Sequence, residues 1–411
     1  MQEWKTYTLK ELSKGKGEYG IGASAIPFDK DKLTYLRITD INDDGTLNKS
    51  GLTSVDAVDA SKYLLEKNDI VFARTGNSTG RSYFYDGSDG PLVYAGFLIR
   101  FRLDDSKVNP RILKYYSHSK PYYDWVQSFD TGGTRGNINA KTYGDMPITL
   151  PPRHVQDRIV DILYSLDAKI ENNRRINDNL EQQAQTLYKS WFVDFEPFKN
   201  GKFIESELGL IPEGWKIGKI NDVINLLSGF PFKSSDFQEN GDYQLITIKG
   251  VQDGYLDVTS ADRLSSLPSK MPQYCILNIG DILISLTGNV GRICIVDRNN
   301  LLLNQRVAIL SPKNIRDSFY AYTMFRSESM KNELIHLARG TAQLNLSPIE
   351  TGEKLTVIPP DSILEAFAKV GKGTFNQYIS LKMENIRLME MRDSLLPKLM
   401  SGELKINEID C

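Results

Sequence analysis

An internal duplication constrains the fold of this 411-residue chain more than any other feature. Four segments of the first half match four of the second half in the same order. EWKTYTLKEL, which contains Trp4, matches GWKIGKINDV, which contains Trp215, and residues 69–81 (DIVFARTGNSTGR) match 281–292 (DILISLTGNVGR). Residues 132–139 (GGTRGNIN) match 339–345 (RGTAQLN), and ITLPP, ending at Pro152, matches TVIPP, ending at Pro360. The offset stays between 206 and 212. A chance similarity would not keep order and spacing over four segments, so the chain contains two copies of one sequence unit.

Both copies follow one internal plan. A segment of roughly 150 residues carries short β-rich runs closed by Gly-Asn turns, a Pro-Pro pair ends it, and a long helical pattern follows. The first helix has a heptad seam, which is typical of a coiled coil: Ile159, Leu163, Leu166, Ile170, Asn173, Asn177, Leu180, Ala184 and Leu187. The second seam is less regular, with Gly371, Gly373 and Arg392 interrupting it. Asn177 and Asn385 fall at one seam position, where a buried amide can fix register.

The resulting fold prediction is mixed α/β. Two similar domains are expected at the ends of two long antiparallel coiled-coil helices, related by a pseudo-twofold axis. The alternative is that each helix packs on its own domain only.

Composition excludes several classes of protein. With 40% hydrophobic and 25% charged residues the chain is typical of a globular protein, and its longest apolar stretch is too short to span a bilayer. Three cysteines without ligand-like spacing favour reduced thiols, no metal site and a cytoplasmic location. The net charge of −2 is low for a nucleic-acid-binding protein, which predicts weak binding by the chain alone.

The junction after the first helix carries a family resemblance. LYKSWFVDFEPF (187–198), followed by SELGLIPEGWK (206–216), resembles the central region of type I restriction–modification specificity subunits. The resemblance implies that 1–152 and 197–360 hold two target-recognition domains, the latter with its linker. Residues 153–196 would hold the central helix and the start of the linker, and 361–411 the C-terminal helix. The expected partners are double-stranded DNA, two methyltransferase subunits and restriction subunits. We interpret the aromatic cluster Trp191, Phe192, Phe195 and Phe198 as packing at the helix end.

Motifs for chemistry are missing from the sequence. Both Pro-Pro pairs follow aliphatic residues, Leu150 and Ile358, so neither belongs to the Asn-Pro-Pro-aromatic loop of an adenine methyltransferase. GKGEYGIG, from Gly15, does not open a convincing βαβ unit, and no phosphate-cradling GxxxxGK[ST] loop occurs. We therefore expect a non-catalytic chain with no cofactor of its own. S-adenosylmethionine, ATP and magnesium would belong to its partners.

The repeat also sorts the candidate DNA-binding residues. If the two halves read different sequences, shared positions should be scaffold or phosphate contacts, and differing positions should carry specificity. The shared candidates are Thr75, Asn77 and Arg81 with Thr287, Asn289 and Arg292. Turn geometry is the favoured explanation for the glycines and asparagines of these loops, and an ordinary ion pair is the alternative to phosphate for the arginines. The remaining candidates are Arg74 (opposite Leu286), Arg135 (opposite Ala342), Asn137, Lys249 (opposite Thr39), Thr341 and Gln343.

Two other functions stay open at this stage. One is a stand-alone, two-headed DNA-binding regulator without methyltransferase partners. The other is a cryptic nuclease or methyltransferase, which the missing motifs disfavour.

Overall fold

The computed structural model describes residues 4–129, 136–340 and 343–404, which divide into two compact units. The first unit comprises 1–169 and 388–411, and the second comprises 170–387. The two longest helices each contribute one part to either unit, because the division falls at 169/170 in one helix and at 387/388 in the other.

The elements up to the first long helix are β1 (Lys5–Thr8), β2 (Glu18–Tyr19), β3 (Ala25–Pro27), β4 (Leu33–Leu36), β5 (Thr53–Val55), β6 (Asp69–Ala73), β7 (Ser82–Tyr85), β8 (Leu92–Tyr94), β9 (Leu98–Arg102), α1 (Pro110–Tyr116), α2 (Lys120–Gln127), α3 (Ala140–Gly144), β10 (Pro147–Leu150) and α4 (Arg153–Tyr188). A π-helical turn, Lys189–Val193, continues α4.

The remaining elements are β11 (Phe203–Ser206), β12 (Gly209–Pro212), β13 (Lys216–Lys219), β14 (Ile224–Ser228), β15 (Tyr243–Ile246), β16 (Arg263–Leu264), β17 (Ile276–Leu277), β18 (Ile282–Ser285), β19 (Ile293–Ile295), β20 (Leu301–Leu303), β21 (Val307–Pro312), α5 (Ser318–Arg326), α6 (Glu328–Leu337), α7 (Pro348–Glu353), β22 (Leu355–Ile358) and α8 (Asp361–Ser401). Both long helices begin directly after a Pro-Pro pair, as the sequence predicts.

The two units share most of their sheet topology. In the first unit the antiparallel sheet has the order β2-β9-β6-β7, a second sheet has the order β3-β5-β4-β8 with β4 parallel to β8, and β1 pairs with β10. In the second unit the matching antiparallel sheet has the order β14-β21-β18-β19, and β13 pairs with β22. The other sheet has the order β16-β15-β20-β17, with β15 parallel to β20. Its strands β16-β15-β20 match β5-β4-β8, but the fourth strand differs, since β17 adds beside β20 whereas β3 adds beside β5. The duplication read from the sequence is therefore a duplication of the fold.

In the four-stranded antiparallel sheet of each unit, one central strand separates two hydrophobic clusters. In β6, Ile70 and Phe72 join one cluster while Val71 and Ala73 join another. In β18, Ile282 and Ile284 point to one side and Leu283 to the other. Successive side chains of a strand alternate between faces, so a strand covered on both faces is apolar throughout. This explains the uninterrupted apolar runs after Asp69 and Asp281.

A tight turn before each of these strands explains the shared aspartate. Asn68 and Gly280 both have left-handed backbones, with φ of 74° and 96°. The Asp69 carboxylate accepts the Glu66 N–H at 2.9 Å, and Asp281 accepts the Asn278 N–H at 2.7 Å. Burial raises the pKa of Asp69 to about 6 and also raises the pKa of Asp281, although the backbone hydrogen bond opposes the shift in both. These carboxylates close a turn.

Most of the heptad seam of α4 is buried as predicted, whereas Leu166 and Leu187 are half-buried. Ile159, Leu163, Ile170 and Asn173 are at most 3% exposed. In the second unit α4 and α8 are antiparallel, since Asn173 hydrogen-bonds Asn385 while Phe192, beyond the end of α4, packs on Phe367. The helices therefore pack on each other as well as on the sheets.

Two of the interruptions in the second seam have structural causes. A Cβ on Gly371 would lie 1.9 Å from the Phe319 ring, so glycine lets α5 approach α8 closely. Arg392, in the first unit, donates to Asp167 of α4 at 3.1 Å. These two residues interrupt the apolar pattern of α8 because each makes a specific contact, Gly371 with α5 and Arg392 with α4.

The aromatic cluster packs at the end of α4, as the sequence indicates. Phe192 lies 4.7 Å from Phe367 of α8 between ring centroids, and Phe195 and Phe198 lie 5.4 and 5.2 Å from Trp215. The chain leaves the helix through Phe195, whose φ is +53°. The cluster therefore closes the helix end and anchors the following linker.

Candidate DNA-binding surfaces

Two segments from distant parts of the sequence meet in the first unit. The loop after β6 is joined to residues 136–139 by a hydrogen bond from the Ile138 N–H to the Arg74 carbonyl, at 3.0 Å. The Thr79 hydroxyl adds a bond to the Gly136 carbonyl at 3.1 Å. We call residues 74–81 and 136–139 together the first loop surface. This surface brings together parts of two repeated segments of the sequence, 69–81 and 132–139.

The second unit has the same arrangement. The Leu346 N–H donates to the Leu286 carbonyl at 2.7 Å, and the Gly288 N–H donates to the Leu344 carbonyl at 2.9 Å. The Thr287 hydroxyl donates to the Asn345 side chain at 3.0 Å. Residues 286–292 and 343–347 form the second loop surface.

These hydrogen bonds correct one part of the sequence alignment. Ile138 and Leu346 make equivalent bonds, so the local offset is 208, which matches Asn137 with Asn345. Asn139 and Ser347 then fall together, and both cap the helix that follows. The sequence alignment had matched Asn139 with Asn345 instead, so it is wrong for these described residues. The pairing of Arg135 with Ala342 lies outside the described residues.

Two of the candidate residues lie outside the described part of the chain. Arg135 and Thr341 belong to the segments 130–135 and 341–342, which interrupt the described ranges. Gln343 is described and exposed, and its amide lies near Gly288: a Cβ placed there would be 3.4 Å from the Gln343 Nε2.

Arg81 and Arg292 both brace a neighbouring hairpin. Arg81 donates to the Ile41 carbonyl at 3.0 Å and pairs with Asp43 at 2.6 Å. Arg292 donates to the Gln252 side chain. The hairpins are equivalent, since Ile41 bridges to Leu47 and Val251 to Leu256. Arg81 thus forms the ion pair of the alternative interpretation, whereas Arg292 hydrogen-bonds a neutral amide. The role of both arginines as phosphate contacts stays a prediction.

Lys249 lies at the start of the second of these hairpins. It is exposed, and its backbone carbonyl accepts from Gln252 at 2.7 Å. Thr39 precedes the corresponding hairpin of the first unit by the same number of residues. The hairpins therefore support the pairing of Lys249 with Thr39.

Turn geometry explains the shared glycines but not the shared asparagines. Gly76 and Gly288 both have φ of 74°, a left-handed conformation that favours glycine. Asn77 and Asn289 are not in this conformation, and both are exposed. Within the described residues, neither side chain forms a hydrogen bond. Their side chains are therefore available to a ligand.

Arg74 is held in place by its neighbours. Its guanidinium lies 5.0 Å from the centre of the Tyr19 ring, and its Nε donates to the Asn137 carbonyl oxygen Oδ1 at 3.4 Å. Thr75 is half-buried beside it, whereas Thr287 is buried. Asn345, the counterpart of Asn137, was missed by the sequence reasoning, although the 208 offset of the Pro-Pro pairs would have found it.

No group of three or more His, Cys, Asp or Glu side chains is placed to bind a metal ion in residues 4–129, 136–340 and 343–404. Among the helices of this described part, none combines the length and the apolar character needed to cross a membrane. Cys275 and Cys294 are buried free thiols.

Comparison with known proteins identifies relatives over the whole chain. Residues 1–182 and 212–360 match the family model described as the type I restriction modification DNA specificity domain. The type I restriction enzyme MjaIX specificity subunit of Methanocaldococcus jannaschii is 28% identical, covering 72% of this chain and 69% of its own length. The HindI specificity subunit of Haemophilus influenzae is 25% identical, covering 98% of this chain and 100% of its own length.

A solved structure has the same fold. The crystal structure of a type I restriction–modification system S subunit from M. genitalium superposes with a TM-score of 0.55 at 18% identity, covering 97% of this chain and 96% of the other. The mixed α/β fold with two recognition-type domains and a long helix between them is thus shared with that protein.

Proposed function

We propose a function from the premise that this chain belongs to the type I restriction–modification DNA specificity family. Each of its two loop surfaces reads one half of a bipartite DNA sequence. The helices α4 and α8 set the unread spacer between the half-sites and dock two methyltransferase subunits. Residues 1–152 and 197–360 contain the two recognition domains, 153–196 the central helix and linker start, and 361–411 the C-terminal helix.

One observation carries this proposal: the two loop surfaces share a backbone framework and differ in the side chains they expose. The framework is held by equivalent hydrogen bonds, from Ile138 to Arg74 and from Leu346 to Leu286. On it, the half-buried Arg74 is replaced by the buried Leu286, and in the neighbouring hairpins the exposed Thr39 is replaced by Lys249. Phosphate contacts position a protein on DNA, whereas base contacts specify sequence. A backbone framework that is repeated with different side chains is suited to recognising two different DNA half-sites.

The repeat also supports the proposed partner number. Two similar halves of one chain can present two similar surfaces, and these can dock two identical subunits. S-adenosylmethionine, ATP and magnesium are used by the methyltransferase and restriction subunits, while this chain supplies recognition. The complex then acts on DNA in the cytoplasm.

Methylome sequencing tests the proposal directly. The chain is expressed with its host's methyltransferase subunit, and the genomic DNA is compared with DNA from cells lacking the chain. We expect one methylated motif, made of two half-sites around an unread spacer, that disappears without the chain. An unchanged methylome in cells lacking the chain would contradict the proposal. A chain that purifies from its host without a methyltransferase subunit would favour a stand-alone regulator.

A further inference from the structure

One cross-strand position distinguishes the two loop surfaces more sharply than any of the residues chosen from the sequence. In the first unit Ala73 pairs with Leu98, so the next pair outwards is Arg74 and Phe97, and the Arg74 N–H donates to the Phe97 carbonyl at 3.1 Å. Directly opposed residues of antiparallel strands project to the same face, with Cβ atoms about 5 Å apart. Phe97 therefore belongs to the same surface as Arg74.

The equivalent pair in the second unit is Leu286 and Arg306. Ser285 pairs with Val307, and the Leu286 N–H donates to the Arg306 carbonyl at 3.0 Å. Each unit thus has one arginine and one large apolar residue in this pair, but in opposite order.

The first unit exposes an aromatic surface at this place. Phe97 is 59% exposed and Tyr19 is 43% exposed. Tyr19 already has partners, since its ring lies under Arg74 and its hydroxyl accepts the Ala140 N–H at 3.1 Å. Phe97 belongs to none of the hydrophobic clusters formed by the described residues. Packing within the unit therefore does not account for a phenylalanine here.

The second unit exposes a cation at the same place. Leu286 is only 5% exposed and belongs to the core, while Arg306 is exposed. Within the ranges that the structure describes, the Arg306 guanidinium makes no hydrogen bond and no ion pair. Ser228 occupies the position of Tyr19 in the strand pairing, and Arg306 makes no cation–π contact with an aromatic ring of the described residues. Its five donors are available to a ligand.

We infer that Phe97 and Arg306 are specificity-determining residues at equivalent positions of the two half-site readers. Arg306 donates two hydrogen bonds to the O6 and N7 atoms of a guanine, and Phe97 packs on the methyl group of a thymine. This inference rests on the proposed function and deepens it, because it assigns different base chemistry to the same position of two similar domains.

The test compares the methylated motifs of variants in the complex with the methyltransferase subunits. Arg306→Ala should relax one guanine position of the second half-site, with discrimination falling about 5- to 150-fold. Arg306→Lys should restore little of it, since an ammonium cannot make the bidentate contact. Lys313→Ala is the matched control: Lys313 is exposed and follows β21 at the opposite end, about 20 Å away, so the motif should not change.

Phe97→Ala should relax one thymine position of the first half-site and leave the second half-site unchanged. A motif that stays the same in both Arg306→Ala and Phe97→Ala would overturn the inference, as would a uniform loss of methylation at all sites. The proposed function is tested separately by the wild-type chain. If the wild-type complex methylates a bipartite motif and these variants methylate the same motif, only the residue assignment fails.

Discussion

The side chains of Asn173 and Asn385 hydrogen-bond across α4 and α8 in the second unit, with the Asn173 Nδ2 2.9 Å from the Asn385 Oδ1. Both are buried, and the Asn385 amide also donates to the Ile170 carbonyl at 3.3 Å. Asn177 occupies the seam position that the repeat equates with Asn385. It is also buried, but its Oδ1 accepts no hydrogen bond from the described residues. The two equivalent amides therefore differ in their contribution to stability.

We expect opposite effects from replacing these two amides. Asn385→Ala should lower stability by about 1–3 kcal/mol, because it removes the buried hydrogen bonds that Asn385 makes with Asn173 and with the Ile170 carbonyl. Asn177→Leu should raise the unfolding midpoint, since it removes a buried polar oxygen without a partner and adds apolar surface to the seam. Urea unfolding followed by circular dichroism would measure both. A loss of stability in Asn177→Leu as large as that in Asn385→Ala would contradict the assignment.

The role of Arg81 is tested by the salt dependence of DNA binding. A phosphate contact should make Arg81→Ala weaken specific and nonspecific binding about equally, and reduce the slope of log K against log salt by about 0.9. The measurement is binding of the methyltransferase complex over a salt series. If the slope is unchanged while thermal stability falls, Arg81 serves only to hold the hairpin through Ile41 and Asp43.

His118 of the first unit should make stability depend on pH. Burial lowers the pKa of His118 to about 4, and the cations Lys114 and Arg392 act in the same direction while Asp44 and Asp167 oppose them. Its Nδ1 lies 3.0 Å from the Tyr123 hydroxyl. In the unfolded chain the pKa returns to about 6.5. Between these values the unfolded state binds a proton that the folded state does not, so stability falls as the pH drops from about 6.5 towards 4.

The matched comparison is His118→Gln, which keeps a polar side chain but cannot titrate. Relative to this variant, the wild-type protein should lose on the order of 2 kcal/mol of stability over that range. Asp69, whose raised pKa gives the opposite trend, is present in both proteins and cancels. Parallel stability curves for the two proteins would show that His118 titrates normally.

The repeat predicted much of the fold because it equates positions without any knowledge of their contacts. The turn at Asp69 and Asp281, the seam of α4 and the packing of Phe192 near the helix end are all readable as local patterns. The contacts of the candidate DNA-binding residues were harder to predict from the sequence. Arg81 reaches the Ile41 carbonyl 40 residues away, and strand pairing alone brings Phe97 beside Arg74. Such contacts follow from sheet register, which periodicity within one segment does not reveal.

Domain exchange tests whether the two units read independently. Replacing residues 1–152 with the matching segment of a relative should change one half-site of the methylated motif and leave the other half-site intact. The β1–β10 pairing joins both ends of this segment, from Lys5 opposite Leu150 to Thr8 opposite Pro147, so the segment can be exchanged with its closing strands. A simultaneous change of both half-sites would show that the recognition domains are not independent.

The last prediction concerns the helices as a spacer between half-sites. The seam from Ile159 to Leu187 spans on the order of 40 Å at about 1.5 Å per residue, comparable to one turn of DNA. An insertion near Leu180 alone would displace its neighbour Glu181, which pairs with Arg326 at 3.1 Å. The better design inserts four residues after Lys169 and four after Arg387, where the chain divides between the units, so that the Asn173–Asn385 pair keeps its register.

Four residues add about 6 Å and nearly one helical turn, so the seam stays close to its partner. The spacer of the methylated motif should lengthen by about one or two base pairs, at about 3.4 Å each, with both half-sites unchanged. Deleting two residues at the same places should abolish methylation, because it rotates the seam by about 200°. Methylome sequencing of the three proteins distinguishes these outcomes. An insertion variant that methylates the original spacer would show that the helices do not set the distance.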